Sequence, residues 1–223
     1  MRFRDRHDAG HALAEKLEHL RGEDVVVVGL ARGGVVVAYE VAHALEVPLD
    51  VLVVRKIGLP WQPELAIGAV APGVVILRDD VIAEARIARK DVEQSAALEQ
   101  ARLDEDLRRY RGDAPAVPLA KRSVILVDDG LATGASAAAA IHSVRLDKPT
   151  RVILGEPVCA SQSASVLRKE ADEVVCAVES DDLVAVGMWY EDFGQVDDDE
   201  VRELLERAHR EHGMTPREVE QRA

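Results

Sequence analysis

Val25, Val26, Val27 and Val28 form an unbroken β-branched run. Such a run suits a strand buried on both faces, as strands of parallel sheets are. A parallel neighbour needs a crossover, usually a helix, and the flanking sequence supplies the parts. Before the run, Asp8 to Leu20 places Ala12, Leu13, Leu17 and Leu20 on one side of an amphipathic helix that Gly22 ends. After it come the loop Gly29-Leu-Ala-Arg-Gly-Gly34 and a helix over Val35–Leu45. Pro48 breaks that helix, and Leu49–Val54 reads as the next strand.

The alternation resumes with strand Val124–Val127, helix Ala135–Leu146, strand Arg151–Glu156, helix Ser161–Lys169 and strand Glu173–Val178. This order predicts an α/β fold, a doubly wound parallel sheet, with ligands bound at the carboxyl ends of the strands. Between the two halves, Pro60, Pro63, Pro72 and Gly73 punctuate short apolar pieces. They predict a β-hairpin of Leu65–Val70 and Val74–Leu77, turning at Ala71-Pro72-Gly73 and lying over the sheet. Asp80–Arg111 is a long charged helical stretch with a break near Ala88–Asp91, and Gly112–Pro118 is a linker. Asp197–His212 reads as a final helix, with a frayed tail after Gly213. The expected division is a core over 1–180, a mobile hairpin at about 58–90, and a hood loop plus C-terminal helix over 181–223.

The chain has 223 residues and is 48% hydrophobic, enough for one α/β domain with an appendage. Its net charge of −13 argues against general nucleic-acid binding, which needs a basic face. No apolar run approaches a membrane span, and the first ten residues have no apolar core of a leader peptide. Cys159 and Cys176 match no metal spacing and read as small apolar core residues in a reducing cytoplasm. The histidines show no ligand spacing and read as surface or helix residues. Aromatic residues are only 3% of the chain, yet Trp189, Tyr190 and Phe193 share one acidic loop. That loop suits either a hood on which a flat base stacks or the packing of an appendage or dimer contact.

Val124 to Ser136, VILVDDGLATGAS, carries the strongest chemical signal. A buried strand ends on Asp128 and Asp129, and a turn with Gly130, Thr133 and Gly134 leads into an alanine-rich helix. Carboxylates accept strong hydrogen bonds from sugar hydroxyls. Free amides of the turn and the helix N-terminus attract a phosphate. The hydroxyls of Thr133 and Ser136 add donors, so the segment suits a ligand with a diol and a phosphate.

This segment resembles the phosphoribosyl-diphosphate (PRPP) signature of the type I phosphoribosyltransferases, nearest the adenine-type loop with its Leu-Ala-Thr-Gly. The resemblance spans roughly residues 24–180. With VRKIGLPWQPELAIGA, the chain is most similar to a family of predicted bacterial phosphoribosyltransferases of unassigned acceptor. It implies that Asp128 and Asp129 hold the ribose hydroxyls. Gly130, Leu131, Ala132, Thr133, Gly134, Ala135 and Ser136 would cradle the 5′-phosphate. Ala31, Arg32, Gly33 and Gly34 would form a diphosphate loop, commonly with a strained or cis peptide. Arg55 and Lys56, read as the end of the second strand, would neutralise the diphosphate. Asp128, Asp129, Arg32 and Lys56 form the implied catalytic set. Mg²⁺ would be carried largely by PRPP and water, with Asp128 and Asp129 the protein groups within its reach.

The resemblance further implies a mobile loop at the hairpin, with Glu64, Arg78, Arg86, Arg89 and Lys90 as its charged candidates. Trp189, Tyr190 and Phe193 would form the base hood. The implied function is transfer of the phosphoribosyl group from PRPP to a nitrogenous base, in a cytoplasmic homodimer. Three residues depart from the family pattern. Ala132 stands where hypoxanthine-guanine enzymes place an acid, Gly130 replaces an apolar residue, and Ala135 replaces Gly or Lys. A PRPP-binding regulatory or sensor protein of the same fold is the rival reading. A phosphohydrolase using the acid pair on a metal is weaker, since the loop offers few ligands.

Overall fold

The computed structural model describes residues 2–59, 61–112 and 114–212, apart from the side chains of 62–66. Helix α1 (Arg6–Leu17) begins where the Asp5 carboxylate accepts the Asp8 amide, a standard N-cap bond. It continues as a 3₁₀ turn over Glu18–Leu20. Strand β1 (Val25–Leu30), helix α2 (Gly33–Leu45) and strand β2 (Leu49–Leu52) form the first βαβ unit, with Val27 opposite Leu49. The chain then leaves the sheet for three antiparallel strands, β3 (Arg55–Leu59), β4 (Gln62–Ala71) and β5 (Val74–Leu77). Helices α3 (Asp79–Glu84) and α4 (Arg89–Arg111) follow, with the break at 85–88, just before the Ala88–Asp91 expected.

The second half runs β6 (Ser123–Val127), α5 (Ala135–Arg145), β7 (Arg151–Ala160), α6 (Ser161–Leu167) and β8 (Glu173–Ser180). A 3₁₀ turn at Val186–Trp189 and helix α7 (Asp198–Glu211) close the described chain. The main sheet is all parallel in the order β2-β1-β6-β7-β8. Alternation on β1 divides the core. Val25 and Val27 face a cluster with Leu13, Leu17, Val37, Val41, Leu103 and Leu205, so α1, α2, α4 and α7 cover that side. Val26 and Val28 face Ile141, Val144, Ala164 and Leu167 of α5 and α6.

The doubly wound sheet is therefore as expected, and two local expectations are corrected. The hairpin does not lie on the main sheet. One of its faces packs Ala69 and Ala71 on Ala139 of α5, and the other buries Ile57 and Ile67 with Leu103 of α4. The two cysteines are not separate thiols. Cys159 on β7 and Cys176 on β8 form a disulfide with their Cα atoms 6.1 Å apart. Parallel pairing makes β7 and β8 neighbours, with Glu156 opposite Cys176 and Cys159 opposite Glu179, so the bond runs diagonally between the two strands.

Winding reverses between β1 and β6, because β1 leads outward to β2 and β6 leads outward to β7. A crevice outside the carboxyl ends of β1 and β6 follows from that reversal.

Candidate active site

Both loops that flank the crevice are those the sequence singled out. After β1, the Ala31–Arg32 peptide is cis. Gly33 and Gly34 permit close approach of this loop to the acid strand. A Cβ on Gly34 would lie 2.7 Å from the Asp128 Cα, and one on Gly33 would strike the Asp129 carboxylate. The glycines thus let two loops touch. Arg32 is half exposed, its guanidinium 3.6 Å from Asp198 at the start of α7.

Asp128 and Asp129 follow β6 at the floor of the crevice. The Asp128 Oδ1 accepts the Asp129 amide at 2.8 Å, and the Arg6 Nε donates to Asp129 Oδ2 at 2.9 Å. Burial first, then the charge of Asp129, pushes Asp128 up to about 8. Burial raises Asp129 as well, against the pull of the Arg6 guanidinium. Lys56 adds a positive charge that Asp128 feels. A third carboxyl, Glu156 on β7, is fully buried with neither oxygen hydrogen-bonded among the described residues. Burial, then Asp128 and Asp129, raise it well above the usual carboxylate range. The crevice floor therefore holds more carboxyl than neighbouring cation, a deficit that a cationic ligand would relieve.

The turn after the acids is anchored on β7. The Leu131 amide donates to Val158 O, and the Ala160 amide donates to Leu131 O, both at 2.8 Å. Ser163 donates to Ala132 O at 2.5 Å. Gly134 sits at φ +79° as the residue before α5, a conformation that favours glycine. Gly130 is needed for space, since a Cβ there would lie 2.6 Å from Val186. The amides of Thr133, Gly134, Ala135 and Ser136 donate to no described residue, as the first amides of a helix must unless a ligand or cap accepts. Thr133, Gly134 and Ala135 line a cavity of about 730 Å³, walled also by Ser161, Gln162 and Asp181.

Other expected residues are placed differently. Arg55 and Lys56 do not end β2. They begin β3, opposite Val70 and Ala69 of β4. Arg55 is ion-paired to Glu99 at 2.7 Å and to Asp106 at 2.8 Å, both on α4, so its guanidinium braces the small sheet instead of standing free for diphosphate. Lys56 stays exposed. The aromatic loop is not a free stacking platform. Tyr190 is buried against Phe3 and donates its hydroxyl to Asp129 O at 2.6 Å. Phe193 carries the Arg6 guanidinium on its ring, 3.9 Å from the centroid. Trp189 is half-buried in the same cluster. The loop instead binds the N-terminal segment, where the Phe3 amide donates to Trp189 O and the Glu191 amide to Phe3 O, both at 2.8 Å.

Among the mobile-loop candidates, Arg78 pairs with Asp80 and Arg89 with Glu93 on the surface. The Glu64 side chain lies outside the described residues. His7 and His11 both meet Glu40 on the surface. No described helix is long and apolar enough to cross a membrane.

Arg6 and Glu156 went unnoticed in the sequence. A charged residue inside the apolar run Val152–Val158 was the available sign for Glu156, because a buried strand excludes an unpaired carboxyl unless something requires it. Nothing local points to Arg6, whose partner is 123 residues away.

Residues 6–192 match the phosphoribosyl transferase domain, and the chain belongs to that family. Two Mycobacterium tuberculosis proteins, from strains CDC 1551 and H37Rv, are each 46% identical to it over 213 residues, 94% of this chain. Both are provisionally named phosphoribosyl transferases. The chain spans 47% of the length of each, about half. The crystal structure of TT1426 from Thermus thermophilus is 44% identical with a TM-score of 0.77, covering 92% of this chain and 98% of its own.

Proposed function

We propose that the protein transfers the 5-phosphoribosyl group of PRPP to a nitrogen nucleophile and releases diphosphate. The observation that carries this reading is the pairing, at one switch point, of two crevice-floor carboxyls with four unpartnered amides at the start of α5. The carboxyls suit the ribose diol, and the amides suit the 5′-phosphate. Arg32 and Lys56 stand beside the crevice to meet the departing diphosphate. In this reading the chain contributes positioning and charge, with little covalent chemistry of its own.

Mg²⁺ would sit on the same floor, where the donors are hard carboxyl oxygens. No group of three or more metal-binding side chains occurs among the described residues, so ligand oxygens and water would have to complete its shell. Asp128 and Asp129 would hold the ion together with ligand oxygens and water. When bound, it would neutralise the diphosphate as that group leaves.

The rival reading, a PRPP-binding sensor with little turnover, draws support from the pairing of Arg55 with Glu99 and Asp106 and of Arg32 with Asp198. Those acids compete with diphosphate for the two arginines. The test is titration calorimetry with PRPP and Mg²⁺ on wild type and on Asp128→Asn/Asp129→Asn, followed by diphosphate release across a panel of bases. Transferase activity requires wild-type binding that the double variant loses, and release that depends on one base. Binding without release supports the sensor, and no wild-type binding ends both readings.

A further inference from the structure

Arg6 occupies a place where a cation needs a reason. It opens α1, and the positive end of a helix macrodipole disfavours a guanidinium there. Its side chain is nevertheless only 11% exposed. Three contacts hold it. The Nε donates to Asp129 Oδ2 at 2.9 Å, an Nη donates to Gly194 O at 2.8 Å, and the guanidinium lies 3.9 Å from the Phe193 ring centroid. Gly33 of the diphosphate loop leaves room for it, since a Cβ there would come within 2.7 Å of the Arg6 Nε. One side chain therefore meets the acid loop, the diphosphate loop and the hood.

Asp129 is held from two directions as a result. Tyr190 donates to its carbonyl and Arg6 donates to Oδ2, while Oδ1 takes no hydrogen bond from a described residue. A carboxylate fixed by one oxygen presents the other in a defined direction. The flat guanidinium does this while its other face and Nη grip the hood, a task a lysine ammonium does not match.

We propose that Arg6 is a positioning residue for PRPP, holding Asp129 by Oδ2 so that Oδ1 meets the ribose hydroxyls, and tying that geometry to the hood. The inference rests on the transferase reading and goes beyond it, because Arg6 acts through Asp129 and touches no substrate atom.

The test is a double-mutant cycle read by calorimetry with Mg²⁺ and PRPP, using Arg6→Ala, Asp129→Asn and both together. Each single change is expected to weaken PRPP binding by roughly tenfold to a hundredfold, the effect of losing a hydrogen bond to a charged group. The double variant should bind no more weakly than Asp129→Asn alone, within about twofold. Inorganic diphosphate with Mg²⁺, which lacks the ribose, should lose less affinity on Arg6→Ala than PRPP does. Arg6→Lys carries the same cycle should the alanine variant fail to fold. Losses that multiply, diphosphate binding that falls in step with PRPP binding, or an Arg6→Ala protein that binds PRPP as tightly as wild type would each overturn the inference while leaving the transferase reading intact. Absence of PRPP binding by the wild type would remove both.

Discussion

Asp128 ionises at about 8 in the folded chain, against an ordinary value of 3.8, and burial is the main cause. Glu156 is shifted in the same direction by its own burial. A folded state that keeps its protons where the unfolded state has lost them is stabilised by acid. Stability conferred this way is present at low pH and declines as pH rises from about 3.8 towards about 8. An asparagine side chain has no acidic proton to lose, so Asp128→Asn removes that decline. In metal-free buffer at pH 8 the variant should melt higher than wild type by on the order of 4 °C or more. The gap should close as the buffer approaches pH 4. Calorimetric scans at both pH values check this, and an equal or lower melting point for the variant at pH 8 would count against a strained floor. If the proposed function holds, the same variant should also lose PRPP. These residue-level facts were half legible. Asp128 and Asp129 end a strand in plain view, whereas the partner of Asp129 lies 123 residues away and no local pattern reveals it.

Asp50 on β2 shows what fastens one element to another. It is buried at 4% exposure and accepts two bonds from Arg111 at the end of α4, at 2.9 and 3.1 Å. It also accepts the Val117 amide at 2.9 Å, which ties down the linker after α4. Asp50→Ala strands a guanidinium and an amide together and should lower unfolding stability by about 3 kcal/mol or more. Urea titration of the two proteins measures this, and a loss under ~1 kcal/mol would mean that solvent replaces the carboxylate, as at exposed pairs. Most elements could be read from periodicity, because strands and helices here bury regular faces. The boundary at Val53 could not. Apolar residues continue from Val51 through Val54, and only the pairing of Arg55 with Val70 shows that the chain has changed sheets. The hairpin itself was visible from its turn, but its neighbours α4 and α5 are set by tertiary packing.

Across the whole molecule, parallel crossovers place strands side by side that are well separated in sequence. Cys159 and Cys176 are 17 residues apart with α6 between them, and their strands are adjacent. Spacing alone gave no hint of the bond, whereas the sheet order makes it natural. Closing a loop of that size is worth about 3 kcal/mol in the chain-entropy account. Reduction should therefore lower the melting temperature by ~6 °C or more. Scans with and without reductant test this, and thiol alkylation before and after reduction confirms which state was scanned. Equal melting points for the two states would show that packing of β7 on β8 alone sets stability there.

The strap from Phe3 to Arg6 bears on how the protein is made. Its partners are Trp189, Glu191 and Gly194, and through Arg6 it reaches Asp129. During synthesis the strap emerges early and its partners late. A nascent chain can build β1, α2 and the acid strand long before the aromatic loop exists, yet the bond from Arg6 to Gly194 can form only once residue 194 has cleared the ribosome.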